Sequence, residues 1–301
     1  MDIKVALALA GGGARGAYQA GAMLALAKHG LYFNEVAGTS VGTLNGAFYA
    51  QSDGSIQAME SLCNLWREIG NTEMVKVDML SASKSIAQGI TWLSSLVGTD
   101  ISLLDPGTIV RVMDNYISYD TVCKSSKNLI ITVLPSISSV IDLIVGKFRS
   151  PHYFFANQMK PEQLRQALLA ATAIPVAFSS VSVGGKKYSD AGLSMPLPSK
   201  ILYDLGHLRI VSIFLSDDTI QNRFDYPNCN LVQIRPSVNI NIGLGSMLDF
   251  SLAHIENLIK MGEADATKYI AEIEELFNSL VHLRCFGDEL GERVQNIPDI
   301  I

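Results

Sequence analysis

The sequence predicts an α/β layer fold with a mostly parallel sheet. Residues 5–69 alternate short apolar runs with longer helix-like segments, which is the strand–helix–strand–helix pattern of such folds. The run 5–10 is apolar without polar alternation, as expected for a strand buried on both faces of a parallel sheet. Right-handed crossovers would then place helices against the sheet.

The first elements can be assigned from local signals. Residues 14–28 are rich in alanine and are followed by Gly30 just past a basic last turn, which predicts a helix. A short strand is expected at 33–37. Two further helices are expected at 41–50, where small residues allow close packing on the sheet, and at 56–69.

Proline and glycine mark the later elements. Pro106 suits the first turn of a helix over 107–119, and Pro161 begins a helix that extends to residue 171. Gly184-Gly185 lies between two strand-like runs and predicts a hairpin. The expected strands in this half of the chain are 128–134, 140–145, 181–183, 187–189, 208–215 and 231–234.

The chain shows no internal repeat and no low-complexity linker, so we expect one domain over residues 1–301. Residues 72–99 are either a cap over a site or an ordinary peripheral helix pair. A helical segment is expected at 246–284, with an apolar stripe that includes Ile255 and Leu258. We expect this stripe to be core, although a partner surface is an alternative.

Composition and charge limit the partners. Apolar residues make up 48% of the chain and charged residues 17%, which predicts a large core. The net charge of −6 argues against a nucleic-acid partner, because phosphate binding needs a basic surface. It also argues against simple electrostatic capture by an anionic membrane, but not against local apolar insertion and transient contact with a membrane surface.

The sequence favours a cytoplasmic location. Its first residues lack a signal-peptide pattern, and no stretch of 18 uncharged apolar residues is present. The absence of a C-x-x-C pair predicts reduced thiols. The cysteines are Cys63, Cys123, Cys229 and Cys285.

Two glycine-framed motifs follow the first two predicted strands. The cluster Gly11 to Gly16 can aim several backbone N–H groups at one point, as an oxyanion hole requires. Gly38-Thr39-Ser40-Val41-Gly42 has the G-x-S-x-G pattern that raises a serine hydroxyl on a sharp strand-to-helix turn. Gly38 and Gly42 leave room for that turn. Together the motifs predict an acyl hydrolase with Ser40 as its nucleophile.

The same glycine cluster matches G-x-G-x-x-G through Gly11, Gly13 and Gly16, so dinucleotide binding is an alternative. Such a fold places an acidic residue at the end of the second strand, and Glu35 lies at about the right distance. The chain then continues into the Ser40 turn. Dinucleotide folds do not need a serine there, whereas hydrolases do, and this favours the hydrolase.

A serine nucleophile also needs a base. His207 fits the Ser…Asp…His order of α/β-hydrolases, so a Ser40–Asp–His207 triad is an alternative, although no local motif marks this histidine. Asp190 follows a predicted strand, at a position where ligands of open α/β sheets gather. An Asp-x-Gly sequence also occurs in plain turns. We favour Asp190 as the partner of Ser40.

With these motifs the sequence resembles the patatin-like phospholipases. That family has a G-G-G-x-R-G cluster, a G-x-S-x-G turn and an Asp-Gly-Gly or Asp-Gly-Ala motif, which correspond here to 11–16, 38–42 and Asp190-Ala191-Gly192. Residues 171–175, Ala-Thr-Ala-Ile-Pro, are similar to the family's Ala-Ser-x-Ala-x-Pro stretch, with Phe178 shortly after. The segment 103–117 is similar to the one that follows the family's cap. The resemblance covers roughly residues 3–240.

The resemblance implies a three-layer α/β/α fold and a Ser–Asp dyad that needs neither a metal nor a cofactor. Ser40 would attack the ester of a phospholipid or another fatty-acyl substrate, and Asp190 would accept its proton. N–H groups of the glycine loop would hold the oxyanion, and Arg15 would order that loop. The residues assigned to the oxyanion hole are Gly11, Gly12, Gly13, Ala14 and Arg15.

One residue departs from the family pattern. The family has glycine directly after the dyad aspartate, where this chain has Ala191. If that position needed a positive φ, alanine would be strained and Asp190 could be rotated away from Ser40. A non-catalytic lipid-binding module that keeps the fold is therefore a further alternative.

Overall fold

A computed structural model describes most of the chain. The described residues are 5–71, 106–136, 150–173, 180–192, 195–216, 221–240 and 243–277. The predicted cap at 72–99 and the predicted strand at 140–145 lie outside these ranges, as does the end of the predicted C-terminal helical segment.

The strands of the described residues form one eight-stranded sheet in the order β5-β6-β3-β2-β1-β7-β8, with β4 also paired to β3. The strands are β1 Ala6–Leu9, β2 Glu35–Thr39, β3 Asn128–Pro135, β4 His152–Phe155, β5 Val181–Val183, β6 Lys186–Asp190, β7 Arg209–Ile213 and β8 Asn230–Ile234. Strands β3, β2, β1, β7 and β8 run parallel to one another. Strands β4, β5 and β6 pair antiparallel at one side.

The described helices cover both faces of the sheet. They are α1 Gly16–Lys28, α2 Val41–Gln51, α3 Ile56–Asn71, α4 Pro106–Tyr116, α5 Tyr119–Lys124, α6 Pro161–Thr172, α7 Ser199–Asp204, α8 Gly243–Leu248, α9 Leu252–Thr267 and α10, residues 270–277.

Side-chain contacts show the three layers. Gly46 of α2 faces the side chain of Leu9, so α2 covers the face to which Leu9 points. Ser212 pairs with Ala8, the neighbour of Leu9, and therefore points to the opposite face. Ser199 of α7 hydrogen-bonds Ser212 there, at 2.9 Å between the hydroxyl oxygens. The three-layer α/β/α expectation is confirmed.

Two expected elements differ from those observed. The single helix predicted over 107–119 is divided into α4 and α5, because Ser118 is extended and its side chain accepts a hydrogen bond from the N–H of Thr121. The helical C-terminal segment begins earlier than expected, at Gly243, and residues 249–251 interrupt it. The hairpin at Gly184-Gly185 is as predicted, with φ positive at both glycines.

The C-terminal segment is joined to the sheet domain by the close contact of α1 with α9. A Cβ at Gly21 of α1 would collide with the carbonyl oxygen of Ile259, and one at Gly262 would collide with that of Tyr18. The backbones of the two helices are therefore in direct contact. Ile255 and Leu258 of the predicted stripe are buried, as expected of core.

We predict that Gly262→Ala destabilises the protein. Alanine in a helix interior is favourable by about 0.5–1 kcal/mol in itself. The clash with Tyr18 outweighs this, because two rigid backbones would have to separate, so we expect the free energy of unfolding to fall by about 2 kcal/mol or more. Urea unfolding measures it, with Lys260→Ala on the exposed face of α9 as the control. A Gly262→Ala protein at least as stable as the wild type would contradict the close contact.

Candidate active site

Ser40 lies on a sharp turn between β2 and α2. Its backbone has φ 52° and ψ −127°, and Ser40 and Asn228 are the non-glycine residues with positive φ in the described part of the chain. A non-glycine residue in such a conformation is strained, and strain of this kind is common at functional positions. The turn places Ser40 at the N-terminus of α2, where the helix dipole favours negative charge.

Gly38 and Gly42 are required by the packing around this turn. A Cβ at Gly38 would lie 2.5 Å from the nitrogen of Thr43. A Cβ at Gly42 would collide with the carbonyl oxygen of Leu9, at the end of β1. These neighbours are backbone atoms, which cannot rotate aside, so a side chain at either position would clash.

The register of the sheet brings Asp190 to Ser40. Thr39 pairs with Thr132, so Ser40 comes level with Val133 of β3, and Val133 pairs on its other side with Asp190. The Ser40 hydroxyl donates to Asp190 Oδ2 at 2.5 Å. The N–H of Gly192 donates to Oδ1 at 2.6 Å, so both carboxylate oxygens are held.

Ser40 and Asp190 are almost completely buried. Ser40 is 7% exposed and Asp190 is 4% exposed. Burial raises the pKa of Asp190 to about 6, while the hydrogen bonds from Ser40 and Gly192 act in the opposite direction. The carboxylate is therefore a stronger base than an exposed aspartate and remains ionised at neutral pH.

Ala191 does not distort this arrangement. It is fully buried and is not among the positive-φ residues, so the alanine is unstrained. The backbone N–H of Asp190 donates to the carbonyl oxygen of Ala173 at 2.9 Å, which fixes the end of β6. The condition for strain at Ala191, a positive φ, is not met, and Asp190 is not turned away from Ser40. Pro175 and Phe178 lie outside the described residues.

Two backbone N–H groups of the glycine loop, residues 11–16, already donate hydrogen bonds within the protein. The N–H of Gly11 donates to the carbonyl oxygen of Pro196 at 2.8 Å, and that of Arg15 donates to Gly12 at 3.3 Å. The N–H groups of Gly12, Gly13 and Ala14 make no hydrogen bond within the described part of the chain. These three are the donors that the loop can offer, whereas Gly11 and Arg15 have structural roles in it.

The side chain of Arg15 fixes the glycine loop by hydrogen bonds. Its side chain is buried, and it donates from Nε to the carbonyl oxygen of Gly12 at 3.1 Å and from a terminal nitrogen to that of Leu215 at 2.9 Å. Burial lowers the pKa of the guanidinium. Arg15 therefore ties the loop to the chain just beyond β7.

The loop lies against Ser40 and is covered by the C-terminal segment. A Cβ at Gly11 would lie 3.1 Å from Ser40 Cβ, and one at Gly12 would lie 2.8 Å from Leu215 Cδ1. Gly13 has φ 59°, and a Cβ there would collide with the carbonyl oxygen of Met247 in α8. The contacts of Leu215 and Met247 could not be predicted from the sequence, because no local motif marks contacts between segments so far apart in the chain.

The structure does not bring the alternative residues to the site. His207 precedes β7, at the amino edge of the parallel strands, whereas Ser40 follows β2 at the carboxyl edge. About eight residues of strand rise, roughly 25 Å, separate these levels. Glu35 is the first residue of β2 rather than its last, and it accepts a hydrogen bond from Asn128 Nδ2 at 2.5 Å. A triad through His207 and a ribose contact through Glu35 are therefore incompatible with this geometry.

Two further observations concern the described residues. No group of three or more histidine, cysteine, aspartate or glutamate side chains there is arranged to hold a metal ion. Within the same ranges, no helix has both the length and the apolar character that crossing a bilayer requires.

Comparison with solved structures shows a similar fold in two other proteins. VipD from Legionella pneumophila matches with a TM-score of 0.51 and 13% identity, over 90% of this chain and 67% of that chain. Human GIVD cytosolic phospholipase A2 matches with a TM-score of 0.54 and 12% identity, over 93% of this chain and 61% of that chain. The comparison with curated proteins gave no match.

The family comparison is more specific. The family described as Patatin-like phospholipase matches residues 7–203, which include both glycine motifs and Asp190. This match covers well over half of the chain and supports a lipid hydrolase. The protein belongs to the patatin-like phospholipase family.

Proposed function

We propose that the protein is a serine acyl hydrolase that cleaves fatty-acyl esters of phospholipids or related lipids through a Ser40–Asp190 dyad. The observation that carries the proposal is the 2.5 Å hydrogen bond from the Ser40 hydroxyl to a buried carboxylate. The family match supports the lipid substrate. The alternative of a non-catalytic lipid-binding module depended on strain at Ala191 that would turn Asp190 away from Ser40. The Asp190 carboxylate lies next to Ser40 instead, which disfavours that alternative.

In the first half of the reaction, Ser40 Oγ attacks the ester carbonyl carbon while its proton passes to Asp190 Oδ2. Negative charge develops on the carbonyl oxygen, where the N–H groups of Gly12, Gly13 and Ala14 are the available donors. Collapse of the tetrahedral species breaks the bond to the leaving oxygen. Asp190 returns the proton to that oxygen, which gives the free alcohol and an acyl-Ser40 ester.

In the second half, a water molecule loses a proton to Asp190 and attacks the acyl carbon. The second tetrahedral species collapses to a fatty acid and regenerates the Ser40 hydroxyl with the proton held by Asp190. An aspartate can serve as the base here because the dry site raises its pKa, and because the oxyanion contacts are stronger away from water.

We further propose that the enzyme works at the cytoplasmic side of a membrane, which it contacts transiently. The cysteines Cys63, Cys123 and Cys229 are free thiols in the described residues, which agrees with a reducing compartment. A net charge of −6 favours contact through apolar side chains over electrostatic capture.

Covalent labelling tests whether Ser40 is the nucleophile. A fluorophosphonate should add once to the wild type and not to Ser40→Ala, as measured by intact mass, because the reagent traps an activated serine. Ser61→Ala, which removes an exposed hydroxyl on α3, is the matched control and should label fully. Undiminished labelling of a folded Ser40→Ala protein would rule out Ser40 as the nucleophile.

The dependence of activity on pH and on the Asp190 carboxylate tests whether Asp190 is the base. The reaction needs the carboxylate form of Asp190, which exists above its pKa of about 6. With p-nitrophenyl butyrate, kcat/KM of the wild type should therefore rise with pH, reach half its maximum near pH 6 and level off above it. Asp190→Asn should lower kcat by about a thousandfold or more, by analogy with loss of a triad member in serine proteases. Near wild-type turnover by Asp190→Asn would exclude the dyad.

The dependence of stability on pH tests whether the pKa of Asp190 is raised in the folded protein. The pKa of Asp190 is about 6 in the folded protein against an ordinary value of 3.8. Below about pH 4 the Asp190 carboxyl is protonated in both the folded and the unfolded state, so its ionisation does not lower the free energy of unfolding. As pH rises through 6 this advantage is lost, and above that pH burial of the carboxylate lowers the free energy of unfolding by roughly 3 kcal/mol. Asp190→Asn removes this cost, so its Tm should exceed that of the wild type at pH 8 by more than at pH 4.5.

The matched control for this comparison is Asp225→Asn, since Asp225 is an exposed carboxylate in a surface turn. Its Tm difference from the wild type should stay small at both pH values. An Asp190→Asn protein whose Tm advantage did not grow with pH would show that burial of the carboxylate does not raise its pKa.

A further inference from the structure

Three buried side chains that take no part in the proposed chemistry form a polar network behind the glycine loop. They are Gln19 on α1, Asn45 on α2 and Trp66 on α3, with exposed fractions of 0%, 2% and 4%. Polar groups in a core are costly unless they are hydrogen-bonded, so a network at this depth restricts the positions of its members strongly.

The network holds the carbonyl group at each end of the loop. Gln19 Nε2 donates to the carbonyl oxygen of Ala10 at 2.7 Å. Asn45 Nδ2 donates to that of Gly16 at 3.0 Å and to Gln19 Oε1 at 2.9 Å. Trp66 Nε1 donates to Asn45 Oδ1 at 3.1 Å, which fixes the amide of Asn45.

Asn45 also belongs to the helix that begins directly after Ser40. A single side chain therefore joins the glycine loop to the helix that carries the nucleophile. The Trp66 ring adds a steric limit, because a Cβ at Gly16 would lie 2.6 Å from Trp66 Cζ2. The loop is thus fixed relative to Ser40 by hydrogen bonds at both ends and by ring contact at one.

We propose that Gln19, Asn45 and Trp66 are positioning residues for the oxyanion hole. The network sets where the N–H groups of Gly12, Gly13 and Ala14 lie relative to Ser40 Oγ, and it does not touch the substrate. This inference rests on the proposed function. Donors that stabilise a transition state act only from the correct position, so a looser loop should slow the chemical step and leave ground-state binding largely unchanged.

Two variants disturb the network in different ways. Trp66→Phe keeps a ring against Gly16 but removes the N–H that fixes Asn45. Asn45→Ala removes the central amide. The matched control is Tyr18→Phe, which lies next to Gln19 on α1 and also loses a buried hydrogen bond, from its hydroxyl to Asp265 Oδ2 on α9 at 3.4 Å. That bond is on the side of α1 that packs against the C-terminal helices.

Two readouts separate positioning from general destabilisation. Hydrogen exchange measured by mass spectrometry on peptides that cover residues 10–16 reports the order of the loop. Steady-state kinetics with p-nitrophenyl butyrate separate kcat from KM. For Asn45→Ala and Trp66→Phe we expect loop exchange at least about tenfold faster, with kcat about 10- to 100-fold lower and KM within about twofold of the wild type. Tyr18→Phe should leave loop exchange and kcat unchanged, even where its Tm falls.

Loop exchange in Asn45→Ala equal to that of the wild type would overturn the proposal. So would faster exchange with unchanged kcat, or an equal loss of kcat in Tyr18→Phe. A wild-type protein that neither hydrolyses the ester nor reacts with a fluorophosphonate would refute the proposed function instead. In that case the exchange data alone would decide whether the network holds the loop.

Discussion

The hydrogen bond between Ser40 and Asp190 depends on three strands being in register. Ser40 reaches the level of Val133 because β2 pairs with β3, and Asp190 reaches it because β6 pairs with the other side of β3. A shift of one residue in either ladder would turn one of the two side chains to the opposite face. The rest of the site is arranged around this contact, with the glycine loop beside Ser40 and the turn after Asp190 holding the carboxylate.

Several energetically unfavourable features are concentrated here. Ser40 has a strained backbone, Asp190 is a buried carboxylate and Arg15 is a buried guanidinium. Each is destabilising in itself and persists only where the surrounding structure compensates. The backbones of α1 and α9 are in direct contact, and Met247 of α8 lies against Gly13 of the loop. Residues beyond the family match at 7–203 therefore form part of the wall of the site.

The sequence predicted the features that depend on local signals. The apolar run of β1, the glycine pair of the hairpin and the two glycine motifs each have a residue pattern with a direct physical meaning. It did not predict the break at Ser118, because a serine that caps a new helix is hard to distinguish from one inside a longer helix. It also missed the strand β4 and the Gln19–Asn45–Trp66 network, since their partners come from distant parts of the chain. The Gly11 N–H donates a hydrogen bond to the carbonyl oxygen of Pro196. This contact could not be predicted, because no local pattern connects Pro196 with the glycine loop.

The central claim is that Ser40 carries the acyl group during turnover, with Asp190 as its base. The most direct measurement is acid quenching of the wild type during hydrolysis of p-nitrophenyl butyrate, followed by mass mapping of the modified peptide. We predict a butyryl group on Ser40 that forms and decays at rates matching turnover. Hydrolysis without any acyl-Ser40, or with the acyl group on another residue, would contradict it.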